Sequence, residues 1–308
     1  MTPTTPDLSV EIAGIRMQNP VTVASGTFGY GTEYAPYLDC SALGAIVTKA
    51  VTLEPRAGNP PPRVRETPAG MLNAIGLQNP GAEAFIEDKL PLLREFGVPI
   101  IVNISGRSVE EFTRLAAMLS DASGVAGLEV NISCPNVAEE GMHFGVDCDL
   151  TRELIAAVVA ASGVPVIAKL SPNVTDITAI ARAAAEGGAH ALSLINTLLG
   201  MSIDVEARRP HLGNVTGGLS GPAIRPVAVR MVWEVARAVD LPLIGMGGIV
   251  TAADALEFIL AGATAVAVGT ANFVEPATAQ AVIEGLAEYC RRHDIARITD
   301  LIGAVETP

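Results

Sequence analysis

Eight short apolar runs recur along the chain, each with a polar or glycine position at or near its end: VTVAS from Val21, AIVTKAV from Ala45, IIVNIS from Ile100, LEVNIS from Leu128, VIAKLS from Val166, ALSLIN from Ala191, LIGMGG from Leu243 and AVAVGT from Ala265. Runs of this length without strict polar alternation read as strands buried on both faces, the habit of a parallel sheet. Their starts lie 24, 55, 28, 38, 25, 52 and 22 residues apart, room for a crossover helix between neighbours. Helical patterns fill several of the gaps. Ser108-Val109-Glu110-Glu111 has the form of a capping box ahead of Phe112, Leu115, Ala116 and Leu119 on one face. A second helix is expected from Thr251, carrying Leu256, Ile259 and Leu260 and stopped by Gly262.

Eight strand-helix units of this kind predict an α/β protein, a single (β/α)8 TIM barrel, in one domain spanning residues 1–308. A doubly wound sheet split over two domains is the alternative. The two long intervals, roughly residues 52–82 and 198–222, contain no Ser/Gly tract and read as ordered insertions. Both follow a strand, so in a barrel both rise over the C-terminal face, where they would shape a lid or a partner surface.

Composition narrows the class. Of 308 residues, 49% are apolar and 17% charged, so the chain can bury a large core, and 30 glycines with 21 prolines supply many turns. The formal net charge of −13, with no basic cluster longer than Arg208-Arg209 or Arg291-Arg292, argues against nucleic acid as a partner. The start lacks a basic region followed by an apolar one, and no run approaches about 18 apolar residues, so neither secretion nor a membrane anchor is expected. Cys40, Cys134, Cys148 and Cys290 match no disulfide framework and no zinc or iron-sulphur spacing, and no metal site is expected; free thiols in a reducing cytoplasm fit best.

The strand ends carry the candidate chemistry: Ser25, Lys49, Asn103, Asn131, Lys169, Asn196, Gly247-Gly248 and Gly269-Thr270 converge on one mouth if the barrel closes. Any one of them is most simply a satisfied polar residue at a strand end. Together they place Lys49 and Lys169 as desolvated cations that call for an anion between them. The glycines of GMGGIV and VGTANF could cradle a phosphate on free backbone N–H groups, or could be tight barrel turns; a side chain at Gly247 is expected to fill the phosphate's space. Position 250 is Val, so Gly-x-Gly-x-x-Gly is not completed, and a mononucleotide such as FMN fits where NAD does not. Cys134, in NISCPN, follows the fourth strand near cations that favour a thiolate, and no papain-like His accompanies it, so proton abstraction is preferred to acyl transfer. Asn73, Asn131, Asn136 and Asn196 suit a planar ligand with amide and carbonyl edges, such as a pyrimidine.

NISCPN, MLNAIGLQNPG (71–81), KLSPNVTDI (169–177), INTLLG (195–200), GGLSGPAIRP (217–226) and IGMGG (244–248) together resemble the class 1 dihydroorotate dehydrogenases over nearly the full chain. GGLSGPAIRP, INTLLG and the QNPG segment resemble the NAD-linked B subtype, its FMN-binding catalytic subunit, more than the fumarate-linked A subtype. The membrane-associating N-terminal helix and base serine of class 2 are missing. The resemblance implies FMN-dependent oxidation of (S)-dihydroorotate to orotate in de novo pyrimidine (UMP) biosynthesis. It implies one FMN per chain, touching Ser25, Lys49, Ala50, Asn103, Asn131, Lys169, Ile195, Gly221, Gly247, Gly248, Gly269 and Thr270. Substrate contacts would fall on Lys49, Asn73, Ala74, Ile75, Gly76, Leu77, Asn131, Asn136, Asn196 and Thr197, and the base on Cys134. The chain has neither an NAD fingerprint nor an iron-sulphur spacing, so electrons would reach NAD through a partner subunit carrying FAD and a 2Fe-2S cluster, with a homodimer of this chain inside a heterotetramer. A related FMN enzyme acting on uracil-type pyrimidines, the fumarate-linked subtype and a noncatalytic flavin-binding module are the competing readings.

Overall fold

In the computed structural model, which describes residues 5–132 and 144–307, all eight apolar runs are strands of one closed barrel. They are β1 (Val21–Val23), β2 (Ala45–Val47), β3 (Ile100–Ile104), β4 (Val125–Asn131), β5 (Val166–Lys169), β6 (Ala191–Leu194), β7 (Leu243–Met246) and β8 (Ala265–Val268). Each pairs in parallel with its successor, and β8 closes onto β1. Closure rules out the doubly wound sheet and leaves no open barrel edge. The apolar runs lack alternation because inward side chains fill the barrel while outward ones meet helices; Ile46, Ile101, Val130, Ile167 and Val266 are all buried. Parallel strands bring every carboxyl end to the same mouth.

Helices at Val109–Ser120, Cys148–Ala161, Ile177–Glu186, Arg225–Ala236, Ala252–Ala261 and Thr278–Arg292 follow β3 to β8, and a helical segment over residues 82–94 precedes β3. The connection from β1 to β2 differs from the simple strand-helix repeat: it is a chain of turns around stacked Phe28 and Tyr34, ring centroids 4.3 Å apart, ending in a 3-10 turn at Cys40–Ala42. At the capping box expected from Ser108, the hydroxyl accepts the Glu111 N–H at 3.2 Å, but the Glu111 carboxylate bonds the Arg107 N–H at 2.8 Å instead of the Ser108 N–H. The Thr251 helix carries both halves of its box, through Asp254, and stops at Gly262 with φ 120°. Among the described residues, no helix is long and apolar enough to cross a membrane.

Two further units frame the barrel. An antiparallel hairpin, Val10–Ile12 with Ile15–Met17, turns through Ala13 and Gly14, both at positive φ. Its Ile15 and Met17 reach Gly127 and Gly44, so it caps the amino ends of the strands, opposite the mouth. The two insertions meet each other in one antiparallel sheet, in the order Leu198–Met201, Thr216–Ser220, Gly70–Asn73, Val64–Thr67.

Asp254 locks one side of the mouth. Its carboxylate accepts the N–H groups of Val250 and Thr251 at 2.9 and 2.8 Å and is ion-paired with Arg225, just beyond the Pro222–Ile224 turn. The Gly247-Gly248 turn is thereby fixed against the Gly221 segment. Burial pushes the Asp254 carboxyl up, but the Val250 and Thr251 N–H groups, the Thr251 hydroxyl and Arg225 outweigh it and hold the group below the usual carboxylate value. A depressed folded-state pKa contributes stability above the unfolded value of about 3.9, and that stability is lost as pH falls through the folded value. Asp254→Ala is therefore expected to lower the unfolding free energy by about 1–2 kcal/mol near neutrality, the usual worth of an N-terminal cap. In urea titrations the gap from wild type should narrow below about pH 4; a gap constant with pH would show that the ionised carboxylate is not its source.

Candidate active site

The strand ends and the insertion sheet enclose a cavity of about 350 Å3. Ser25, Lys49, Ala50, Asn131, Lys169, Ile195, Asn196, Thr197, Gly247, Gly248, Gly269 and Thr270 line it from the barrel, and Asn73, Ile75, Gly76, Leu77 and Gly221 from the insertions. Two expected contacts lie elsewhere. Asn103 is wholly buried beneath the floor, and Ala74 is buried against Leu72 and Leu212, its N–H bonded to the Arg63 carbonyl and its carbonyl to Asn59. Cys134 and Asn136 fall outside the described residues.

The floor corrects the charge reading made from sequence. Lys169 is not an unpaired cation: its Nζ lies 3.3 Å from Glu129 Oε2, both side chains nearly inaccessible, and donates to Ser25 Oγ at 2.9 Å. Glu129 also accepts from Asn103 Nδ2 at 2.5 Å and from Ser193 Oγ at 2.7 Å. Strands β3, β5 and β6 thus place one side chain each around the single carboxylate that β4 supplies, and buried charge is tolerated because it is paired and hydrogen-bonded. Lys49 is different. No carboxylate lies within ion-pair distance of it among the described residues. Desolvation, reinforced by the nearby Arg63 charge and opposed by Glu33, pulls its ammonium below the usual lysine range. An anion placed beside Lys49 would relieve that cost.

A second anion-seeking feature sits across the mouth. The backbone N–H groups of Gly247, Gly248, Gly269 and Thr270 donate to no acceptor among the described residues, and an unpaired N–H in a concave turn is a receptor for phosphate oxygens. Gly247 and Gly248 have φ of 132° and 81°, which side chains rarely adopt. A Cβ on Gly247 would lie 2.8 Å from the Ala228 side chain, and one on Gly248 would lie 2.7 Å from the Gly221 carbonyl. The glycines are thus required by the protein wall itself, and a side chain at Gly247 would damage that wall rather than occupy a phosphate's space. Thr270 Oγ1 donates to Ser220 Oγ at 2.7 Å, tying the end of β8 to the insertion sheet.

Several residues to which the sequence assigns no role hold this mouth together. Asn79, buried, accepts the Thr52 and Gly81 N–H groups and donates to the Leu77 carbonyl and the Thr52 hydroxyl, fixing the Asn73–Leu77 segment. Asn173 bridges the Thr197 carbonyl and the Leu199 N–H. Arg63 adds a cation to the rim. Glu129 had a visible signal, a lone carboxylate in an apolar strand two residues before Asn131 and so on the same face.

The dihydroorotate dehydrogenase family model matches residues 7–290. Curated relatives named dihydroorotate dehydrogenase B (NAD(+)), catalytic subunit, are similar along almost the whole chain. The one from Desulforudis audaxviator (strain MP104C) is 62% identical over 296 residues, 96% of each chain. The one from Geobacter sp. (strain M21) is 58% identical over 301 residues, 98% of this chain and 99% of the relative. That from Geotalea uraniireducens (strain Rf4) is 59% identical over 302 residues with the same coverage. With the family model matching nearly the whole chain and relatives at 58–62% identity along almost its full length, the chain belongs to the dihydroorotate dehydrogenase family.

Proposed function

We propose that this chain oxidises (S)-dihydroorotate to orotate with bound FMN, as the catalytic subunit of an NAD-linked enzyme of pyrimidine synthesis. The observation that carries this reading is the pair of anion-seeking features lining one cavity: the Lys49 ammonium and the four N–H groups of the β7 and β8 turns, all without a partner among the described residues. The donor set fits FMN. The glycine-turn N–H groups suit a phosphate, and the Lys169 ammonium, with one N–H left after Ser25 and Glu129, suits the electron-rich edge of the flavin. When bound, FMN would supply the acceptor for the hydride leaving C6 of the substrate.

The chain's own residues would do the rest. Lys49 pairs with the substrate carboxylate, and Asn73, Asn131, Asn136 and Asn196 hold the ring's amide and carbonyl edges, fixing C5 and C6. Cys134 Sγ, as thiolate, takes the proton from C5. The insertion sheet forms one wall of the cavity and limits water. Onward electron transfer to NAD falls to a partner subunit carrying FAD and a 2Fe-2S cluster, because the chain completes no dinucleotide fingerprint and no cluster spacing. Leu199, Met201, Ile203, Val205 and Val215, exposed on the second insertion, offer apolar surface for the self-association expected of a homodimer within a heterotetramer.

Cys134→Ala should slow flavin reduction by dihydroorotate about 10²- to 10⁴-fold in stopped flow while keeping FMN and orotate binding. Cys134→Ser, whose hydroxyl is far less acidic than a thiol of pKa about 8.5, should also be slow and recover only toward high pH. A wild-type rate in Cys134→Ala would assign the base elsewhere. Lys49→Ala should weaken orotate binding roughly 10- to 100-fold, the worth of a charged hydrogen bond of about 1.5–3 kcal/mol; equilibrium titration with orotate measures it, and unchanged affinity would remove Lys49 from the carboxylate. The isolated chain should reduce dyes but not NAD, and NAD reduction without a partner, or turnover with fumarate, would contradict the NAD-linked assignment.

A further inference from the structure

Glu129 is 1% exposed and does not line the cavity, yet three side chains on three other strands donate to it. One of these donors, Lys169, does line the cavity, so the net charge presented to a ligand from the floor is set by a carboxylate the ligand does not reach. The carboxylate also leaves Lys169 little freedom, since its Nζ is bonded to both Glu129 and Ser25. It dictates the Asn103 amide too: Nδ2 must face the carboxylate, which leaves Oδ1 buried with no hydrogen-bond partner among the described residues. A network that accepts this cost in order to keep a carboxylate beside Lys169 implies that the pairing matters to what lies above.

We propose that Glu129 is a positioning residue that tunes the bound flavin, by neutralising Lys169 and pinning it at the cavity floor. This rests on the reading that FMN occupies the cavity. Two electrons taken up with one proton leave the reduced flavin one negative charge richer than the oxidised form. A bare ammonium beneath the ring would therefore favour the reduced form, whereas an ammonium already paired with a carboxylate favours it less. Glu129 thus holds the flavin's potential down, which suits a centre that must give its electrons up again to a partner. Lys169 supplies the contact, and Glu129 sets how strongly that contact discriminates between the two redox states.

The test uses FMN-loaded protein equilibrated with reference dyes, with FMN affinity and thermal melting measured alongside. Glu129→Gln keeps the shape and removes the charge. Its ratio of reduced to oxidised flavin at a fixed poise should rise at least tenfold, a positive shift of about 30 mV for a two-electron couple. Adding Lys169→Met to Glu129→Gln removes both charges and should return the potential toward wild type, which loss of packing alone would not do. If Glu129→Gln does not fold, Glu129→Asp keeps the charge but withdraws it from Lys169 by one methylene, and a smaller positive shift is expected. An unchanged potential in whichever of these variants binds FMN overturns the proposal and leaves Glu129 a purely structural group. Wild-type protein that binds no FMN would instead sink the reading of the cavity, and this proposal with it.

Discussion

One buried carboxylate, Glu129, is shared by inward-pointing groups from the neighbouring strands β3, β5 and β6, and the mouth of the barrel is assembled over that joint. Closure of eight parallel strands forces their carboxyl ends together, so polar groups needed for chemistry are also forced into contact where water cannot solvate them. Pairing is the condition for burying them. Removing one partner from a buried ion pair typically costs about 3–5 kcal/mol, a large share of a domain's net stability. The two lysines of the mouth therefore have distinct physical roles. Lys169 is held by the protein, while Lys49 keeps its charge available for an anion from outside.

The same division explains how a chain with net charge −13 can receive anionic ligands. Long-range potential works against the encounter, and the attraction is confined to short range, in Lys49, Arg63 and the free N–H groups of two turns. The turns that carry those N–H groups line the cavity, and they are held there by Asp254, which ties the turn after β7 to Arg225, and by the bond from Thr270 to Ser220. The site is thus a property of the joints between insertion sheet and barrel as much as of the strand ends.

The barrel was legible in the sequence because burial on both faces removes polar alternation, and a run such as AVAVGT announces both a strand and its end. The strand-end residues that line the cavity were legible for the same reason. What sequence reading could not reach depends on pairing across long separations. Asn73 donates to the carbonyl of Gly218, 145 residues away, and nothing in either insertion specifies the other as its sheet partner. The amino-end hairpin is too short to stand out from its flanks. Glu129 was passed over because a charge inside an apolar strand looks like an outward residue until the barrel shows which face Asn131 and Lys169 share. Ala74 shows the converse, a residue inside a legible motif whose side chain faces the insertion's own small core.

On the proposed function, this mouth holds FMN and delivers the hydride of dihydroorotate to it. Anaerobic mixing of the FMN-loaded chain with dihydroorotate, and separately with dihydrouracil, while following the flavin's visible absorbance, tests it most directly. Rapid bleaching by dihydroorotate and none by dihydrouracil is the predicted result. A flavin that keeps its colour in the presence of dihydroorotate, in protein shown to hold one FMN per chain, would mean that the cavity does not oxidise dihydroorotate.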